Sequence, residues 1–140
     1  MTDPYARNMF GNNNPYYAKR PVKGKVVVVL DGVYDDRGLS LMKPPSRALV
    51  RGEIHEFIMT DETKGPGEVV NQIAYLAFAE ISQASVIIVG DPVRIGDTLI
   101  GNIAGYDETH MPNHLNIVLK GNRESGRTMG VHLDDEITIG

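Results

Sequence analysis

Short apolar runs separated by Gly, Pro, Asp and Asn recur along the chain, and they set most of the expected elements. Residues 24–30 read Gly-Lys-Val-Val-Val-Val-Leu, a β-branched run that predicts a strand covered on both faces. Between 47 and 59, alternate residues sort into two sets. Val50, Ile54 and Ile58 share a core-like face with Gly52, while Arg51, Glu53, His55 and Phe57 share a face that meets water or walls a pocket. From 66 to 81 the apolar spacing is that of a helix, with Val69, Val70, Ile73, Ala74, Leu76, Ala77 and Ile81 on a wide face. Asp61 or Thr63 is placed to cap it, and Pro66 suits its first turn. Only Glu68, Asn71, Gln72 and Tyr75 make a polar strip, so this helix is expected to be covered on more than one side, by a curled sheet or by another subunit.

Residues 85–89 predict a buried strand. Beside the 47–59 strand, with the helix between them in sequence, it would run parallel through a right-handed crossover. A turn at 94–97 leads into a strand over 98–106, where Gly101 and Gly105 mark a bend or a close backbone approach. Residues 115–120 and 127–133 alternate, which predicts a closing hairpin. The register that keeps its apolar face continuous sets Leu115 against Val131 and His114 against His132, with Cβ atoms about 4.5–5.5 Å apart.

The expected fold is α+β and mostly β: a small antiparallel or mixed β-barrel or twisted sheet of six or seven strands, with one main helix over 66–81. Residues 1–23, rich in Asn and Pro, read as an extended N-terminal arm, and 24–140 as a single β-rich barrel-like domain. The arm carries Tyr5, Phe10, Tyr16 and Tyr17, four of the nine Tyr and Phe residues of the chain, so it is expected to dock on its own domain or on a neighbour.

Composition narrows the function classes. Hydrophobic content of 41% and charged content of 23% are those of a globular domain, not a disordered one. A net charge of -4 gives no general attraction to nucleic acid, and the one basic cluster, Lys19, Arg20, Lys23 and Lys25, reads as a solvated linker. Without cysteine there is no disulfide framework, thiolate nucleophile or thiolate metal site. No run approaches the ~20 apolar residues of a membrane span, and the N-terminus lacks the apolar core of a signal peptide, so a cytoplasmic location is the default. Neither a Gly-x-Ser-x-Gly elbow nor a dinucleotide fingerprint occurs.

The candidate chemistry is histidine-centred. His114 and His132, completed by His110 or Asp107, are the residues to hold a divalent metal, the one cofactor the chain suggests. Pro112, between His110 and His114, argues against a helical zinc motif there. The same histidines, with Asn116, Tyr106 and the more distant His55, make a candidate site for a small polar or anionic ligand. Two readings follow. One is an oligomeric barrel-like domain, self-associating through helix 66–81 and the arm, that binds a small ligand or a protein partner without catalysis of its own. The other is a small metal-dependent hydrolase, lyase or isomerase with Glu108 or Glu53 as general base.

Overall fold

The computed structural model describes residues 15–140, and these are almost entirely β. The elements run β1 (Val22–Val29), β2 (Val33–Tyr34), β3 (Leu39–Ser40), β4 (Ser46–Leu49), β5 (Ile54–Thr60), β6 (Val69–Val70), β7 (Ile73–Gln83), β8 (Ser85–Ile88), β9 (Pro92–Ile95), β10 (Thr98–Asp107), β11 (Asn116–Gly121), α1 (Gly126–Met129) and β12 (Glu136–Ile139). Seven strands close into a barrel in the order β1-β12-β9-β10-β11-β5-β7, with β7 pairing β1 again. The β5–β11 pair is parallel and the other barrel pairs are antiparallel.

Alternation fills the barrel. Tyr106, Ile117, Phe57 and Ala77 stand opposite one another on β10, β11, β5 and β7, all fully buried. Val22, Val26, Val93, Ile137 and Ile139 close the ring from β1, β9 and β12. Each large side chain buried here stabilises the fold by about 1.5–3 kcal/mol. Leu49 and Ile87 join the same core, so the antiparallel β4–β8 pair plugs the barrel. The other face of β5 and β11 is not left to water. Ile58, Val118, Ala104 and Ile73 form a second cluster covered by Leu39, Leu41 and Val70, from the β3–β6 flap and the residue after β3.

The mostly-β barrel is as expected, but several elements differ. Residues 66–81 form no helix. They supply β6 and most of β7, which lies between β1 and β5. The reason is a β-bulge: Phe57 pairs Ala77 while Ile58 pairs Tyr75, so Leu76 is an extra residue and the alternation skips a beat. Ala74, Leu76, Ala77, Ala79 and Ile81 then all join the barrel core at a spacing that mimics a helix. The helix expected over 66–81 and the α+β label fall with it.

The closing hairpin also differs. Ser125 caps α1 by accepting the Thr128 N–H, and Gly130 ends it at φ 83°. Residues 127–133 therefore hold a helical turn and a loop, and His132 does not face His114. The 115–120 strand pairs β10 and β5 instead. The 47–59 strand is broken at Gly52, φ 93°, leaving Val50 and Ile54 exposed, and β8 meets β4 antiparallel with no crossover. The expected close approach holds: a Cβ on Gly101 would lie 2.4 Å from the Lys120 carbonyl oxygen.

β1 begins at Val22, two residues before the strand expected from residue 24. Just before it, Lys19 meets Asp91 at 2.8 Å and Arg20 donates to the Ala84 carbonyl at 2.8 Å, so this stretch lies on its own barrel. Tyr5 and Phe10 lie outside the described residues.

Candidate functional site

A polar row crosses the outer face of the barrel. Asp107 pairs Asn116, Asn116 pairs Glu56 and Glu56 pairs Phe78, so side chains from β10, β11, β5 and β7 stand side by side. They share the face of Ile58 and Val118, yet no flap residue covers them in the second apolar cluster. Their cover is the 108–114 loop and the segment before β3. Asp107, Asn116 and Glu56 are all buried.

Asp107 is fully engaged. It accepts from Ser40 N–H at 2.9 Å, Thr109 N–H at 2.9 Å and Asn116 Nδ2 at 3.2 Å. Burial works to raise its pKa, but these hydrogen bonds outweigh it and hold the carboxyl below its ordinary range. Asn116 Nδ2 turns to Asp107, and its buried Oδ1 has no hydrogen-bond partner among the described residues.

Glu56 is pushed the other way. Burial raises its pKa, against the pull of His114, His110 and Arg37. His114 Nε2 lies 3.3 Å from Glu56 Oε1, and this contact works to lower the Glu56 pKa. The other ring nitrogen, Nδ1, donates to Asn113 Oδ1 at 2.7 Å. The His114 ring is held between the edge of Phe78 and the tilted ring of His110, each with centroids 5.0 Å away. Arg37 Nη2 donates to His110 Nε2 at 3.2 Å, the single hydrogen bond of its guanidinium among the described residues.

His110, His114, Asn116 and Asp107 are thus brought together as the sequence suggested. The others are not. His132 sits in the exposed loop after α1, its N–H donating to Asp135. His55 accepts the Leu115 N–H on Nδ1 at 3.0 Å and approaches Glu53 with Nε2 at 3.3 Å, which makes it a latch at the start of β11. Tyr106 is a core residue of the barrel, its hydroxyl donating to the Pro45 carbonyl at 3.0 Å. Of the candidate bases, Glu108 pairs with Arg47 and Glu53 holds the Val50 N–H. Among the described residues no group of three or more His, Cys, Asp or Glu side chains is placed to hold a metal ion.

Arg37, Glu56 and Phe78 are additions that the linear sequence did not point to. The signal for Glu56 was present: it is the one acidic residue on the 50–58 face that reads as core. A cavity of about 230 Å³ opens at the opposite end of β10, lined by Ile95, Thr98, Ile100, Met129, Gly130, Val131 and Asp135. It is below the range of ligand pockets, and its polar side chains are only Thr98 and Asp135.

A family model matches residues 16–140. The chain belongs to the family of unknown function DUF6917. No curated protein and no solved structure matches it. For this DUF6917 chain, no activity is lent by a relative, and the site has to be read from its own groups. No helix among the described residues is long and apolar enough to cross a membrane.

Proposed function

We propose that the protein is a β-barrel binding module without catalysis of its own, taking a small polar ligand at the Arg37–His110–His114–Glu56–Asn116 site. The observation that carries this is the buried Asn116 Oδ1, without a hydrogen-bond partner among the described residues, on the residue paired with the buried Glu56. Leaving such an acceptor unmet costs on the order of 1–3 kcal/mol, a cost that a bound donor removes. The cover over it is made of two imidazoles and a guanidinium, groups that hydrogen-bond to a ligand as readily as to each other. A metal-dependent reaction is the weaker reading, because Asp107 is already saturated and His132 lies elsewhere.

A titration of isotope-labelled protein with a panel of small polar metabolites tests the reading by NMR. The expected hits move the His110 and His114 ring signals and the Asn116 side-chain amide together, and lose their effect in a His114→Ala, Arg37→Ala variant that remains folded. Hits that move only Met129 and Val131, at the far cavity, would overturn the assignment.

A further inference from the structure

The cavity at the far end of β10 lies where the barrel core reaches solvent. Ile95, Ile100 and Met129 of its wall pack against that core, and Val131 is buried within it. At about 230 Å³ it is too small for a drug-sized molecule, and that sets the size of its occupant. Apolar cavities of about 150 Å³ take up benzene, so this one has room for one aromatic ring and a short substituent. Water suits it poorly, because an ordered water needs several polar partners and these apolar side chains offer none.

The polar side chains of the lining are Thr98 and Asp135, and Asp135 brings its only charge. Asp135 Oδ2 accepts the His132 N–H at 2.8 Å. Among the described residues Oδ1 accepts no hydrogen bond, and no basic side chain pairs with this carboxylate. A carboxylate beside apolar walls is stabilised by a cation. One carboxylate and one hydroxyl are too few donors for a metal ion, and among the described residues no group of three or more His, Cys, Asp or Glu could hold one. An ammonium needs less, since its N–H groups can be met by Asp135 Oδ1 and the Thr98 hydroxyl. Met129 favours a ring over an open chain, because thioether sulfur contacts aromatic rings favourably.

We propose that the cavity holds a compact arylalkyl amine, its ring against Ile95, Ile100 and Met129 and its ammonium on Asp135. This site is separate from the Glu56 row and goes beyond the reading above.

Benzylamine is the probe, with benzyl alcohol as its neutral counterpart and benzoate as its anionic one. Each is titrated into isotope-labelled protein at neutral pH, and the Met129 and Val131 methyl signals are followed. The expected result is a saturable shift of both methyls, with benzylamine about fivefold tighter than benzyl alcohol, the scale of a half-exposed ion pair. Benzoate should leave them unmoved. Asp135→Asn keeps an oxygen for the His132 N–H and should bring benzylamine to the level of benzyl alcohol, with benzyl alcohol unchanged. Benzyl alcohol or benzoate binding as tightly as benzylamine would overturn the amine assignment, and so would an Asp135→Asn protein that keeps the full preference. Should that variant not fold, the three probes on the wild type still decide. No saturable shift at Met129 and Val131 with benzylamine overturns the site. The His110 and His114 ring signals should stay still throughout, so the two sites stand or fall separately.

Discussion

Asp107 and Glu56 lie two strands apart on one face of the barrel, with Asn116 between them, yet their acidities move in opposite directions. The difference is in the partners. Asp107 is met by two backbone N–H groups and an amide, whereas for Glu56 the loss of hydration on burial outweighs His114, His110 and Arg37. Each shift implies a pH dependence of stability. For Asp107, lowered in the folded state, the stabilisation is present above the ordinary carboxylate range and is lost as pH falls through the folded value. Asp107→Asn should therefore lower stability at pH 7 by about 1.5–3 kcal/mol, with the gap closing in acid. For Glu56, raised in the folded state, the contribution is present below the ordinary range and is lost as pH rises through the folded value. Glu56→Gln should then melt higher than wild type at pH 8, by a margin that vanishes toward pH 4. Thermal melts across that range check both, and a Glu56→Gln protein less stable than wild type at pH 8 would show that burial is not what governs this carboxyl. The sequence made part of this site visible: residues 107–116 carry four of its members in one stretch. Glu56 showed only as an acidic residue on a face that reads as core, and Phe78 and Arg37 did not show, because the register of β5 against β7 and the contact of Arg37 with His110 bring them there.

At the scale of elements, two features that defeat pattern reading are bulges and close approaches. β7 is rich in alanine, which is depleted in strands, yet alanine is what lets β7 pair across from Phe57 and His55 inside a closed barrel. Together with the extra residue at Leu76 this gives a helix-like spacing in a strand. The short helix is bounded by its caps, Ser125 and Gly130, and has no apolar face that a periodic pattern would show. α1 owes its position to one atom that is missing. A Cβ on Gly126 would stand 2.0 Å from the Leu76 carbonyl oxygen and 3.1 Å from that of Leu30. Both are backbone atoms of the barrel and cannot swing aside. Gly126→Ala should thus cost about 3 kcal/mol, whereas Gly32→Ala, with open space around it but a positive φ, should cost about 1 kcal/mol. Denaturant melts of the two variants check the order. Equal, small losses would mean that α1 does not seat on β7 as described.

At the scale of the whole molecule, closure ties the most distant parts of the chain into one unit. β1 has β12 on one side and β7 on the other, so the ring is completed by the last strand to be reached in sequence. The apolar residues of 66–81, which in isolation argue for a partner subunit, find their cover inside this ring instead: Ala74, Leu76, Ala77 and Ile81 are fully or almost fully buried. Ile139 of β12 is buried in the same core as Phe57 of β5 and Ile87 of the β4–β8 plug. Truncating it removes transfer free energy and leaves a cavity, a loss of about 2–5 kcal/mol. Because β12 bridges β1 and β9, the loss should not stay local. Opening that seam exposes two strand edges at once and takes the shared core with it. Ile139→Ala is therefore expected to lower the protection of β5 and β11 amides in hydrogen exchange by as much as that of β1 and β12 amides, in one cooperative step. Loss of protection confined to β1, β12 and β9, with the β5–β11 pair unchanged, would mean that the parallel pair and the flap over it form an independent folding unit.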